Sequence, residues 1–101
     1  MTNYLISYDI SQDKLRNKIV KILERRGCVR VQKSVFLAPR YQTAELKRLQ
    51  AEMVLALKAR ASPDDSVLCV PLNKGTLEEG IWHGDNPDLQ KALQKLHTML
   101  I

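Results

Sequence analysis

The sequence predicts an α+β sandwich of βαββαβ order, and three observations predict it. The chain has 101 residues, 45% of them hydrophobic and 27% charged, which is one folded domain and not a disordered tail. Apolar spacing switches along the chain between strand-like runs and helical stripes. The β run at residues 28–38 has an apolar set interrupted by Lys33, so it divides into two short strands.

Residues 4–9 (YLISYD) are rich in Tyr and Ile and read as the first strand. Ser11 is the candidate cap of the helix that follows, and Asp13 in its first turn suits the helix dipole. That helix runs to about Arg26, where Gly27 ends it. Leu15, Ile19, Ile22 and Leu23 fall on one face at helical spacing. Lys14, Lys18, Lys21 and Arg25 make a separate stripe, and Arg16 flanks the apolar face on its other side. Residues 28–38 (CVRVQKSVFLA) follow as β structure. Val29, Val31, Val35 and Leu37 share one parity, and Arg30, Gln32, Ser34 and Phe36 the other. A polar set ending in an aromatic suits a face that meets a partner or borders a site. The break is expected near Gln32–Ser34, and Pro39 is expected to end the run.

Thr43 is the expected cap of the second helix, which runs to about Ala61 with Leu46, Leu49, Met53 and Leu57 on its core face. Residues 62–65 (SPDD) turn the chain into the strand VLCVPL, where Pro71 points to a sheet edge or a bend. Ile81 and Trp82 are expected to form a last short strand. Asn86 caps a final helix with Pro87 at its first position and Leu89, Leu93, Leu96 and Leu100 on one face. The order is that of the ferredoxin-like plan. Residues 1–72 are therefore the core of a single domain, and residues 73–101 a C-terminal extension of short strand plus helix. Two helices cover only one face of the sheet. The tail or a second copy must cover the other, which argues for a homodimer.

The net charge is +5 and unevenly placed. Residues 14–33 hold eight basic residues and one acid, so this segment is +7 and the remainder −2. A solvated helix face and a surface for a polyanion, nucleic acid first, are the two readings of that segment. No apolar run approaches the roughly 20 residues of a membrane helix, and no basic start with a long apolar run marks a signal peptide. No membrane partner is expected. Cys28 and Cys69 are too few for a disulfide framework or a zinc site, and read as reduced thiols of a cytoplasmic protein.

Chemistry-bearing motifs are sparse. The chain has no Gly-rich phosphate loop, no HExxH and no CxxC. His97 lies beside the apolar face of the final helix, and His83 has no carboxylate partner nearby in sequence. One acid stands out: Asp9 ends the first strand, where side chains become accessible at the rim of a sheet. It is either a loop-start residue bonded to its own backbone or a metal ligand. A single carboxylate is a poor Mg²⁺ site, and two copies of Asp9 across a two-fold axis make a better one.

The stretch from Tyr8 to Phe36 contains YDIS, DKLRNKIVKILERRG and RVQKSVF. This combination closely resembles the small CRISPR-associated endonuclease family of spacer acquisition, the second of the numbered Cas proteins. The resemblance covers residues 3–72, and more weakly Ile81–Gly84. It implies a ferredoxin-like fold, a symmetric homodimer, metal-dependent phosphodiester hydrolysis on RNA or DNA, and a complex with the CRISPR integrase. It carries the family's metal-binding aspartate onto Asp9, with one Mg²⁺ per dimer shared by Asp9 of both chains. Tyr8, Arg16, Arg30 and Phe36 match the other catalytic positions. Arg16 and Arg30 would stabilise the charge of the pentavalent state. Lys18 keeps the charge of a position that is often Arg in relatives, but loses the bidentate fork. Lys14, Lys18, Lys21, Arg25, Lys33 and Ser34 become the nucleic-acid contacts. The chain departs from the family at Leu37-Ala38-Pro39, where relatives often carry an acid, and from Asp85 onward. Beside the nuclease stand two other readings: a non-catalytic DNA scaffold bridging integrase dimers, and an RNase toxin of similar fold.

Overall fold

The structure is a computed structural model, and it describes residues 2–60, 62–73 and 75. The element order is β1 (Thr2–Asp9), α1 (Asp13–Arg25), β2 (Val29–Gln32), β3 (Val35–Tyr41), α2 (Thr43–Arg60) and β4 (Ser66–Leu72). The four strands form one antiparallel sheet in the order β2-β3-β1-β4. This is the ferredoxin-like arrangement the apolar spacing predicts. The expected strand at Ile81–Trp82, the helix opened by Asn86, and His83 and His97 lie outside the described residues.

Helix α1 buries Leu15, Ile19, Ile22 and Leu23, the four residues its spacing selects. Gly27 ends it at φ +80°, a left-handed conformation that glycine adopts without strain. The Gly27 amide donates to the Glu24 carbonyl at 3.1 Å, and the Cys28 amide to the Leu23 carbonyl at 3.0 Å, which is a Schellman cap. The helix starts differently from expectation. Its cap residue is Gln12, which makes no side-chain cap bond, and Ser11 is engaged elsewhere, by Asp65. At α2, Thr43 is the first helical residue and not the cap. The Glu45 carboxylate accepts the Gln42 amide at 3.1 Å, the acidic half of a capping box. Leu49, Met53 and Ala56 are buried on this helix, and Leu46 and Leu57 pack against them.

The β run breaks at Lys33–Ser34, as expected, and of the set Arg30, Gln32, Ser34 and Phe36 only Arg30 and Phe36 keep a common face, which is the helix-covered one. Arg30 and Phe36 are cross-strand partners, Ser34 lies in the turn, and a bulge separates Arg30 from Gln32. Pro39 does not end β3, which continues to Tyr41. A bulge opposite Thr2–Tyr4 accommodates the proline, and Arg40 takes φ +55° beside it. The Arg40 amide is satisfied by Oδ1 of Asn3 at 2.8 Å, which explains the burial of that asparagine.

Side chains alternate across the sheet. Ile6, Tyr8, Phe36 and Ala38 join the buried residues of α1 and α2 in one core. Leu5, Ser7 and Asp9 lie on the opposite face, beside their partners Val70, Leu68 and Ser66. Leu68 on that face is 61% exposed. Cys28 and Cys69 are free, and burial pushes both thiols up, so neither is poised as a nucleophile.

Candidate functional site

Asp9 is the last residue of β1, exposed, and opposite Ser66 in the ladder with β4. Its carboxylate has no hydrogen bond or ion pair among the described residues. It is therefore not the backbone-bonded loop residue that its position alone allowed. The chain that follows is held tightly. Ile10 is buried, and its carbonyl accepts from Nη1 of Arg16 at 3.1 Å. Arg16 also pairs with Asp13 in the first turn of α1. Oδ1 of Asp65 accepts the Ser11 amide at 3.0 Å and the Ser11 hydroxyl at 3.2 Å, while Oδ2 accepts the Ser62 amide at 2.9 Å. The Ser11 amide, then that of Ser62, holds the Asp65 carboxyl below its ordinary range.

Tyr8 precedes Asp9 but belongs to the helix-covered face. Its hydroxyl donates to the Lys33 carbonyl at 3.0 Å, and its amide to the Ser34 carbonyl at 3.0 Å. These bonds tie β1 to the β2–β3 turn. Nη2 of Arg30 reaches the Tyr8 hydroxyl at 3.5 Å, and its guanidinium lies 5.2 Å over the Phe36 ring. The Tyr8 and Phe36 rings are 6.2 Å apart and tilted by 35°. The structure thus joins Tyr8, Arg30 and Phe36 in one cluster, with Lys33 and Ser34 in the turn beside it. It does not join them to Asp9, whose side chain lies across the sheet. Phe36 is fully buried and supports Arg30 from below.

The basic stripe narrows as well. Nη2 of Arg25 bonds Glu52 of α2 at 3.3 Å, and Nε of Arg26 bonds the same carboxylate at 2.7 Å. Lys14, Lys18 and Lys21 are exposed and form no ion pair among the described residues. They line an open groove of about 390 Å³ between the helices, with Asn17 of α1 and with Ala56 and Ala59 of α2. Three of the four stripe residues thus remain as uncompensated cations.

Sequence reasoning missed Glu52 and Asp65. Their partners lie 26 and 54 residues away in the chain, beyond the reach of any local pattern. Among the described residues no three His, Cys, Asp or Glu side chains converge. At the tip of β1 the Asp9 carboxylate is left without a partner among the described residues. It is a hard oxygen donor of the kind Mg²⁺ takes while keeping several waters.

A four-stranded ferredoxin-like sheet, an acid at the tip of its first strand and a lysine-lined first helix define a small α+β protein of one recognisable class. The family model of CRISPR associated protein Cas2 matches residues 1–79, and the chain belongs to that family. The CRISPR-associated endoribonuclease Cas2 2 of Synechocystis is 34% identical over 89 residues, 88% of this chain and 90% of that one. The CRISPR-associated endoribonuclease Cas2 1 of Methanospirillum hungatei is 26% identical over 91 residues, 89% and 92% of the two chains. Among solved structures, a chain of a partial Cas6-RT-Cas1–Cas2 complex superposes with a TM-score of 0.71 at 30% identity, covering 80% of this chain and 89% of that one.

Proposed function

We propose that this protein is a Mg²⁺-dependent endonuclease of CRISPR spacer acquisition, hydrolysing phosphodiester bonds of RNA or DNA as a two-fold homodimer. The observation that carries the reading is Asp9: a carboxylate at the end of a strand, on the face the helices leave uncovered, with no partner of its own. Its relatives named endoribonucleases support the reaction class. Exposed Leu68 on the same face supports burial against a second copy. Asp9 of both copies would hold one Mg²⁺. When bound, the ion polarises a phosphoryl oxygen and lowers the pKa of water.

The chain's own residues have distinct tasks. Lys14, Lys18 and Lys21 attract phosphates without reading bases. Arg30, stacked on Phe36, presents a donor fork suited to a phosphate oxygen. The Tyr8 proton is committed to the Lys33 carbonyl, so Tyr8 orients Arg30 and does not protonate a leaving group. Arg16 is spent on Ile10 and Asp13 and shapes the loop after Asp9.

A second reading, a DNA scaffold beside the CRISPR integrase, has an observation of its own. The lysine groove lies in the helical layer, whereas Asp9 lies across the sheet, so binding does not require the carboxylate. The Cas1–Cas2 complex of the structural relative supports an integrase partner. Purified protein incubated with Mg²⁺ and either RNA or duplex DNA separates the two readings. Cleavage that Asp9→Ala abolishes supports the nuclease, and binding with no Asp9-dependent cleavage leaves the scaffold.

A further inference from the structure

We propose that Asp65 is a positioning residue for Asp9, holding the exit of β1 through a closed ring of five residues. The inference rests on Asp9 being the functional carboxylate. The ring runs Asp9, Ile10, Ser11, Asp65, Ser66. Backbone pairing of Asp9 with Ser66 closes it on the sheet side. The two bonds from Ser11 to Oδ1 of Asp65 close it on the loop side.

The need for such a device follows from where Asp9 sits. An exposed side chain at a strand end gains no packing that would fix it. β3 does not fix it either, because its last pairing with β1 is Ser7 with Val35, followed by the Tyr8 amide bond to Ser34. Beyond Asp9 the chain leaves the sheet and must reach α1 within three residues. Ser11 has two donors there. An α1 cap would use its oxygen as an acceptor, and here its hydroxyl instead donates to Asp65. Asp65 precedes the residue paired with Asp9, so its carboxylate reaches back across the gap and ties the two loops at the rim of the site. Its second oxygen holds Ser62 and makes its own turn rigid. Arg16 grips the same exit at the Ile10 carbonyl. The loop is therefore held from α1 and from the α2–β4 turn at once. A displacement of about 1 Å in a catalytic group costs up to about 100-fold in rate, so an anchor one residue pair away has leverage on the chemistry.

Two substitutions separate anchoring from charge. Asp65→Asn removes the charge and the acceptor of the Ser62 amide but keeps an oxygen that accepts both Ser11 donors, while Asp65→Ala removes all three bonds. The readouts are kcat and KM for Mg²⁺-dependent RNA cleavage, the Mg²⁺-induced shift of the Asp9 amide resonance, and hydrogen exchange at the Ser11 amide. Asp65→Ala is expected to lower kcat 10- to 100-fold with KM for RNA unchanged, to raise the Mg²⁺ needed to shift the Asp9 resonance, and to speed Ser11 exchange. Asp65→Asn is expected to stay within about threefold of wild type in all three. Equal loss in both variants would mean that the two Ser11 bonds do not carry the effect, and would overturn the proposal. So would wild-type kinetics in Asp65→Ala. Where Asp65→Ala does not fold, Ser11→Ala removes one of the two bonds to Oδ1 and should move each readout part of the way. Unmoved readouts in Ser11→Ala would then overturn it. Should wild type show neither Asp9-dependent cleavage nor a Mg²⁺ shift at Asp9, the nuclease reading fails by itself. The ring is then judged on Ser11 exchange alone, and equal exchange in wild type and Asp65→Ala overturns it.

Discussion

Tyr8 and Asp9 are neighbours in β1 and live under opposite conditions. Tyr8 is buried, its hydroxyl bonded to Lys33 and reached by Arg30, its ring beside Phe36. Asp9, one residue on, lies on the other face, and its carboxylate has no hydrogen bond or ion pair among the described residues. The same contrast recurs in the helices. Arg25 and Arg26 are bound to Glu52, while Lys14, Lys18 and Lys21 stand free along the groove between α1 and α2. The partnered groups hold the frame. The unpartnered ones carry charge that nothing in the frame needs, and that charge is what a metal ion or a phosphate can use.

The largest effect that would sharpen this division lies on the partnered side. Phe36→Ala deletes a fully buried ring that both Tyr8 and Arg30 use, and should cost about 3–5 kcal/mol of stability in chemical denaturation. A loss under 1 kcal/mol would mean that the cluster is no part of the frame. Tyr8→Phe removes the bond to the Lys33 carbonyl and the long contact from Arg30, and should cost about 1 kcal/mol, with the ring packing kept.

Asp65 gives the division a pH dependence. Its carboxyl is held below the ordinary value of 3.8 by the Ser11 and Ser62 amides. A carboxyl lowered in the folded state stabilises fully above its unfolded pKa and ceases to do so as the pH falls through the folded one. The melting temperature of wild type should therefore exceed that of Asp65→Ala above pH 3.8, and the gap should close as the pH falls further. A gap that persists unchanged in strong acid would contradict the sign.

The smallest effect on stability is expected from the free lysines. Lys18→Gln with Lys21→Gln should change stability by less than about 0.5 kcal/mol, since neither side chain has a partner to lose. The same pair should weaken nucleic-acid binding and flatten its salt dependence by roughly one to four units, at about 0.9 per phosphate contact. An unchanged slope would return the groove to the status of a solvated helix face.

How far these differences could be read from the sequence depends on the range of the interactions behind them. The buried face of α1 and the glycine that ends it arise within a few turns of chain, and the residues declare them. The hairpin at Lys33–Ser34 was legible for the same reason, since a lysine inside an apolar set marks a break. Ser11 and Pro39 misled because their local preferences were overridden from afar. Asp65 recruits Ser11 from 54 residues away, and Asn3 satisfies the Arg40 amide beside the bulge that takes Pro39 into the strand. Parity places Phe36 on the face of Arg30 correctly, but that face is the one α1 and α2 cover, which the polar residues of the set conceal. For the site, position singled out Asp9, and the resemblance supplied the reason to weigh it as a ligand. Strand alternation already separates Tyr8 from Asp9, and the long-range pairing of Arg30 with Phe36 puts Arg30 on the Tyr8 side as well.

The most direct test sets the two conditions against each other in one variant. Asp9→Asn keeps the size of the side chain and removes its charge. Mg²⁺-dependent cleavage of RNA and duplex DNA should disappear, while binding measured at the same salt concentration should stay within about twofold of wild type, since the proposed phosphate contacts are the lysines and not Asp9. Undiminished cleavage by the purified variant would remove Asp9 from the mechanism and contradict the account at its centre.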